Sequence, residues 1–323
     1  MKPLLLTLLA SALTFGATFA QGDGAADETR MTLRAEMLRM INHDRQRAGL
    51  RPLELDPDAS SVADAYCRLQ IRNRTSGHFT LDGQTPYMRY SFAGGNDGLS
   101  ENAAAWSANF GFSDRALLDM MRRSQEAMMN ETAPHDGHRK SILDPHATHV
   151  GIGMAWEGGE FRIAQEFIRR YVDWGRPLPR SARAGERLLC SGRPKAGYDI
   201  EAITVHHESF PEAMPASVAN AIGSYALPYD RREYLPRLKT FYRHHDDGAV
   251  EEVREEYSDG RRGDFQVAED GAFAFAVPFP DGPGVYTVVV WVHAHGARET
   301  IAASNVSIRV EAAAPRVLTA GSR

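Results

Sequence analysis

Leu33, Met37, Met40 and Ile41 recur at the spacing of one helix face, and Gly49 ends the pattern. Leu53 and Leu55 alternate briefly. Asp56-Pro57 then opens a second helix, for which Val62, Tyr66 and Leu69 form the predicted buried stripe. From Asn73 to Gly98 the apolar period disappears, and Gly, Ser, Thr and Asn dominate. A loop this long usually carries function or is ordered by something bound. Ser113-Asp114 caps a third helix with Leu117, Met121 and Met128 facing inward, and Met128-Met129-Asn130-Glu131 ends it. Val150, Ile152 and Met154 alternate as a strand. Glu157-Gly158-Gly159-Glu160 turns the chain, and Phe161, Ile163, Gln165 and Phe167 run back, which reads as a hairpin.

The pattern changes after Trp174. Proline, arginine and small residues make 175–197 a predicted linker between two domains. Beyond it the periodicity is that of strands: Tyr198–Val205, Gly271–Val277, Gly284–Val292 and Ser304–Val310. Short strands between Gly, Pro and Asp turns predict an all-β, immunoglobulin-like sandwich over 198–312, with a disordered tail over 313–323. At the other end, Lys2, the apolar run from Leu4 to Phe19 and the small residues around Thr18-Phe19-Ala20 read as a signal peptide over 1–20. A mobile N-terminus over 21–30 would follow. The apolar run is too short for a good membrane span, and the mature chain has no predicted transmembrane segment.

Charge and cysteine content narrow the function classes. With 37 basic and 42 acidic residues the net charge is −5, which argues against nucleic acid as a partner, since phosphate binding needs a basic field. Two cysteines, Cys67 and Cys190, could pair as a disulfide in an exported protein or remain separate thiols. Cys67 falls on the apolar side of a predicted helix, where it would pack as a small hydrophobe.

Four residues carry the candidate chemistry. His78 stands in Ser76-Gly77-His78-Phe79, and Glu101 in Leu99-Ser100-Glu101-Asn102-Ala103-Ala104. Glu131 closes the third helix. His138 opens Gly137-His138-Arg139-Lys140-Ser141-Ile142-Leu143, which runs on to Val150-Gly151-Ile152-Gly153. Two imidazoles and two carboxylates suit zinc or another divalent cation, and they also suit acid–base chemistry near neutral pH. Other candidates are weaker. Glu126 lies more than a turn before Glu131 and would project elsewhere. His135 reads as a loop histidine, and His149 could face the cleft or away from it. His293 and His295 share one strand face but read as surface. Ser76 and Ser100 stand near His78 and Glu101 in sequence without a nucleophile elbow, and Cys67 is expected to be too buried for a nucleophile.

The order and wording of these strings resemble the CAP superfamily, the cysteine-rich secretory, antigen 5 and pathogenesis-related proteins that share the SCP domain. The strongest element is the run from His138 to Gly153, followed by Ser100-Glu101-Asn102-Ala103-Ala104. Met128 departs from the pattern where the family commonly has tryptophan, and Pro134-His135-Asp136 is inserted before Gly137-His138. The resemblance implies an α+β chain with a CAP-type three-layer α-β-α sandwich over 31–174. It also implies that His78, Glu101, Glu131 and His138 converge in an open cleft, where the residue types leave two states open: a divalent ion held by His78 and His138, or a polar cleft without metal. It points to a secreted or periplasmic cell-envelope protein that binds an extracellular protein, glycan or lipid. The rival reading is a metal-dependent hydrolase of peptides or esters with Glu101 or Glu131 as general base.

Overall fold

The computed structural model describes residues 23–313. The sequence-predicted signal peptide and almost all of the predicted tail lie outside these residues. The N-terminal domain comprises α1 (Asp23–Arg47), β1 (Glu54–Leu55), α2 (Pro57–Asn73), α3 (Pro86–Phe92), β2 (Gly98–Ser107), α4 (Asp114–Met129), α5 (Gly137–Ile142), β3 (His149–Glu157) and β4 (Glu160–Arg169). Its sheet runs β1-β3-β4-β2, with β1 parallel to β3 and the other pairs antiparallel.

One face of this sheet packs on α1 and α4. Leu33, Met37 and Ile41 meet Leu117, Met121 and Met128 there, over Val150, Ile152, Met154, Phe161, Ile163 and Phe167. The opposite face packs on α2, where Ala63 and Cys67 meet Ala155 and Ala164. The domain is therefore a three-layer α-β-α sandwich. The α2 stripe is rotated from expectation: Ala59, Ala63, Tyr66, Cys67 and Gln70 are buried, while Val62 and Leu69 are only half-buried. Close approach explains the rotation. A Cβ on Gly151 would lie 2.5 Å from that of Ala59, and one on Gly153 would lie 2.2 Å from the Ala63 carbonyl carbon, so the helix presents its small residues to the glycines.

The second domain comprises β5 (Val172–Arg176), β6 (Ser181–Arg183), β7 (Arg187–Pro194), β8 (Tyr198–Glu208), α6 (Ala216–Ala221), β9 (Arg231–Tyr234), β10 (Thr240–His244), β11 (Val250–Arg254), β12 (Gln266–Val267), β13 (Phe273–Pro278), β14 (Gly284–Ala294), β15 (Thr300–Ala302) and β16 (Val306–Glu311). One sheet has the order β12-β13-β7-β5 and the other β6-β16-β14-β8-β9, with β15 also on β14. A shared core lies between them, with Cys190, Phe273, Phe275 and Val277 from the first and Ile203, Val205, Tyr286, Val288 and Val290 from the second. β10 and β11 form a separate hairpin. No described helix is long and apolar enough to cross a membrane.

Four expectations need correction. Residues 175–197 are not a linker: they supply β6, β7 and part of β5, and Leu178, Ala182 and Cys190 are core residues. The stretch looked irregular because these strands are short and offset by bulges and turns. Residues 23–30 are not a loose terminus but the first turns of α1, where the Arg30 guanidinium lies 5.3 Å from the Trp156 ring centre. The 73–98 loop contains α3, announced by Thr85-Pro86 at its N-cap and first turn. Cys67 and Cys190 are free and buried in the cores of different domains, so they form no disulfide. Burial pushes the Cys67 thiol well above its usual range and that of Cys190 up to about 12, leaving both inert as nucleophiles.

The two domains are joined by more than the chain. Gly98 N donates to Ala303 O (2.9 Å), Asn305 Nδ2 to Leu99 O (3.1 Å) and Ser307 N to Ser91 Oγ (3.0 Å). The Arg180 guanidinium donates to Ser91 O (2.5 Å), Gly95 O (2.6 Å) and Asn96 Oδ1 (2.6 Å). Tyr87 and Met88 of α3 share a buried cluster with Val285 of β14.

Candidate functional site

His78 lies on the turn between α2 and α3. Gly77, with φ +85°, sets that turn, and its carbonyl accepts from Tyr66 Oη (2.8 Å) and Gln70 Nε2 (2.9 Å) of α2. Glu101 projects from β2 towards the α2 face, and its carboxylate meets His78 Nδ1 at 2.8 Å. Glu131 follows the end of α4. One of its oxygens meets His138 Nδ1 at 2.5 Å, and the other accepts from the backbone N–H of His138 (3.0 Å) and Arg139 (3.4 Å). That carboxylate therefore both orients an imidazole and satisfies amides at the start of α5.

The four sequence-predicted residues thus come together as two His–Glu pairs, with the histidine ring centres 6.3 Å apart. They line a cleft of about 650 Å³ with Asn102, Ser141, Ser224 and Tyr225. The two pairs differ in exposure: the side chains of His78 and Glu101 are 8% and 0% exposed, those of His138 and Glu131 33% and 23%. The cleft is shut at one end and open at the other.

Three further residues define the shut end. Arg89 of α3 donates one nitrogen to His78 O (2.6 Å) and another to Glu101, and its guanidinium stacks 3.5 Å from the centre of the Tyr66 ring. Glu166 of β4 stands directly across the ladder from Glu101 and is fully buried. Tyr225 belongs to the second domain. Its hydroxyl accepts from Glu101 N (2.6 Å), and its ring meets His78 edge-on at 4.9 Å. The sequence did not single out Glu166, which is one of several polar residues in a strand that also carries Arg162 and Gln165. It held no clue to Tyr225, whose place is set by contact between residues more than a hundred apart.

Electrostatics follow from this packing. Burial alone would raise the Glu101 carboxyl, but Arg89 and then His78 outweigh it and hold the group below the usual carboxylate range. Burial, and then the charge of Glu101, push Glu166 well above that range. Burial also raises the Tyr225 phenol, so it is neutral. A polar line runs from the cleft through the sandwich. Asn102 Nδ2 donates to His138 O (3.0 Å) and Gln165 Oε1 (3.2 Å), Gln165 Nε2 to Gln125 Oε1 (2.9 Å), and Gln125 Nε2 to Asp44 Oδ2 (2.8 Å).

Each histidine turns Nδ1 to a carboxylate, so a neutral ring carries its proton there and its lone pair on Nε2. Neither Nε2 has a hydrogen-bond partner among the described residues. Imidazoles oriented by carboxylates in this way are suited to holding a divalent ion. The carboxylates are occupied with the rings, however, and no group of three or more His, Cys, Asp or Glu is arranged to hold a metal among the described residues. The donor set is two nitrogens, with the glutamates behind them.

The remaining candidates lie elsewhere. Glu126 is exposed on α4, and His135 is exposed at the mouth of the cleft. His149 does not line the cleft: its Nδ1 lies 2.8 Å from Thr148 Oγ1 and its Nε2 3.7 Å from Glu54. His293 and His295 pair across strands with Glu201 (3.0 Å) and Asp199 (3.4 Å). Ser76 N and Oγ are directed at Asn220, and neither Ser76 nor Ser100 bonds His78 among the described residues.

A sequence profile described as the cysteine-rich secretory protein family matches residues 38–167, which contain all four residues of the cleft pairs. The uncharacterized protein YkwD of Bacillus subtilis (strain 168) is 26% identical over 161 residues, 47% of this chain and 56% of that protein. The chain thus spans little more than half of that relative. Among solved structures, an extracellular protein containing a SCP domain from Bacillus anthracis str. Ames is 20% identical, covers 45% of this chain and 41% of its own, and has a TM-score of 0.34. An outer surface protein from Borrelia burgdorferi is 20% identical, covers 43% of this chain and 93% of its own, and has a TM-score of 0.35. With the profile lying over the α-β-α sandwich and its paired histidines and glutamates, the N-terminal domain of this chain belongs to the cysteine-rich secretory protein (CAP) family.

Proposed function

We propose that this chain is an exported binding protein of the cell envelope or the extracellular space, and that its cleft takes a polar ligand at His78 and His138 with a divalent ion such as zinc. The observation that carries this reading is the pair of imidazoles, each turned by a carboxylate so that an unengaged Nε2 is left. A divalent ion held there would supply positive charge to a ligand oxygen, and Glu101 and Glu131 would keep the rings in the ligating tautomer. Binding is favoured over hydrolysis because neither carboxylate is free to act as a base: Glu101 is engaged by Arg89 and His78, Glu131 by the His138 ring and the α5 amides. Export rests on the signal-like N-terminus together with the family of the first domain.

The second domain is read as an immunoglobulin-like interaction module. Lettered in chain order with the β10–β11 hairpin and the short β15 left out, its sheets follow A-B-E-D and A′-G-F-C-C′, and that strand order supports the reading.

Zinc titration of the full chain tests the cleft. Zinc raises the melting temperature, because a ligand that binds only the native state stabilises it by mass action. The shift fades as pH falls, because protons compete with the ion for imidazole nitrogens. His78→Ala and His138→Ala each abolish it, and His293→Ala does not. No shift at millimolar zinc would remove the metal from the reading.

A further inference from the structure

The chain between β8 and β9, residues 209–230, leaves the second domain, crosses the loop that carries His78 and returns. Met214 N donates to Leu81 O (2.8 Å), and Asn220 Oδ1 accepts from Ser76 N (2.8 Å). Phe210, Tyr225 and Leu227 pack on the cluster formed by Tyr87, Met88 and Val285, which straddles the domains. The segment is thus fastened on both sides of His78.

Tyr225 occupies a particular backbone position. β2 is the edge strand of its sheet, so every second residue directs its amide away from β4. Glu101 is one of these, since its N–H meets the Tyr225 hydroxyl. Leu99 O, on the same edge, is taken by Asn305 Nδ2. The second domain therefore covers the edge of β2 where the buried His–Glu pair lies, and the exposed pair is left beyond it.

We propose that Tyr225 is a positioning residue of the cleft supplied by the second domain: it seals the His78–Glu101 end and holds Glu101 through its amide. The consequence for the occupant rests on the binding reading above, whereas the seal itself does not. An occupant enters only from the Glu131–His138 mouth. The cleft then suits a small molecule or the end of a chain, and a polymer cannot lie through it past His78. This makes the cleft a two-domain site, with selection built into the second domain.

Histidine carbethoxylation, mapped by mass spectrometry on the full chain, tests the seal because the reagent attacks an accessible neutral imidazole nitrogen. In the wild type His138 reacts at least about tenfold faster than His78. Tyr225→Ala raises the His78 rate by about tenfold and leaves His138 unchanged. Asn220→Ala, which frees the crossing segment from Ser76 while keeping the ring, raises it less and in the same direction. Tyr225→Phe keeps His78 protected but speeds hydrogen exchange of the Glu101 amide by about tenfold, since only the acceptor is lost. Unchanged His78 labelling in both Tyr225→Ala and Asn220→Ala overturns the seal, and unchanged Glu101 exchange in Tyr225→Phe overturns the positioning role. Expected labelling with no zinc-dependent thermal shift upholds the seal, and only the metal reading falls.

Discussion

Glu101 and Glu166 stand opposite each other in the β2–β4 ladder, both buried, and of the two carboxyl groups only that of Glu101 accepts from Arg89. One cation cannot neutralise two carboxylates in such a place, and like charges this close disfavour a second ionisation. Arg89 and His78 hold Glu101 ionised, and its charge helps keep the proton on Glu166. The pair is a fixed arrangement of one carboxylate and one carboxylic acid beneath the cleft.

The pH dependence of stability follows from that proton. The native pKa of Glu166 lies above the ordinary 4.5, so the native state keeps a proton that the unfolded chain has lost. Its contribution is complete below the unfolded value and declines as pH rises towards the native one. Glu166→Gln keeps the shape without the titration. Its melting temperature relative to wild type therefore climbs as pH rises above the ordinary carboxylate range. A difference that stays flat with rising pH would refute the protonated state.

Arg89 braces both members of the buried pair, since it binds the His78 carbonyl and the Glu101 carboxylate. Arg89→Met leaves a buried anion without its cation and costs about 3–5 kcal/mol. Adding Glu101→Gln restores part of that loss, because the charge that needed a partner is gone. Urea denaturation of the two single variants and the double variant gives the coupling, and additive losses would show that the ion pair is not the cause.

The domain junction predicts one unfolding unit. Arg180 comes from the β6 side and closes hydrogen bonds on Ser91, Gly95 and Asn96 of the first domain. Near-UV and far-UV melts of the full chain coincide, and Arg180→Ala lowers both by the same amount, with a loss of about 2–4 kcal/mol from several orphaned carbonyls. Separate transitions for the helical and β signals would show that the domains fold independently.

What the sequence by itself determined is local. Helix periods placed α1, α2 and α4, alternation placed the β3–β4 hairpin, and short strings identified His78, Glu101, Glu131 and His138. These signals survive in one dimension because each depends on residues a few positions apart. The convergence of those four residues was an expectation carried by family resemblance, and tertiary structure decided its form: two His–Glu pairs, one sealed and one open. It also turned 175–197 from a linker into core strands, kept Cys67 and Cys190 apart, and set α2 with its alanines on the glycines of β3. Arg89, Glu166 and Tyr225 joined the site only through folding. Their roles come from desolvation and from contacts across sheets and domains, and neither leaves a period or a spacing along the chain.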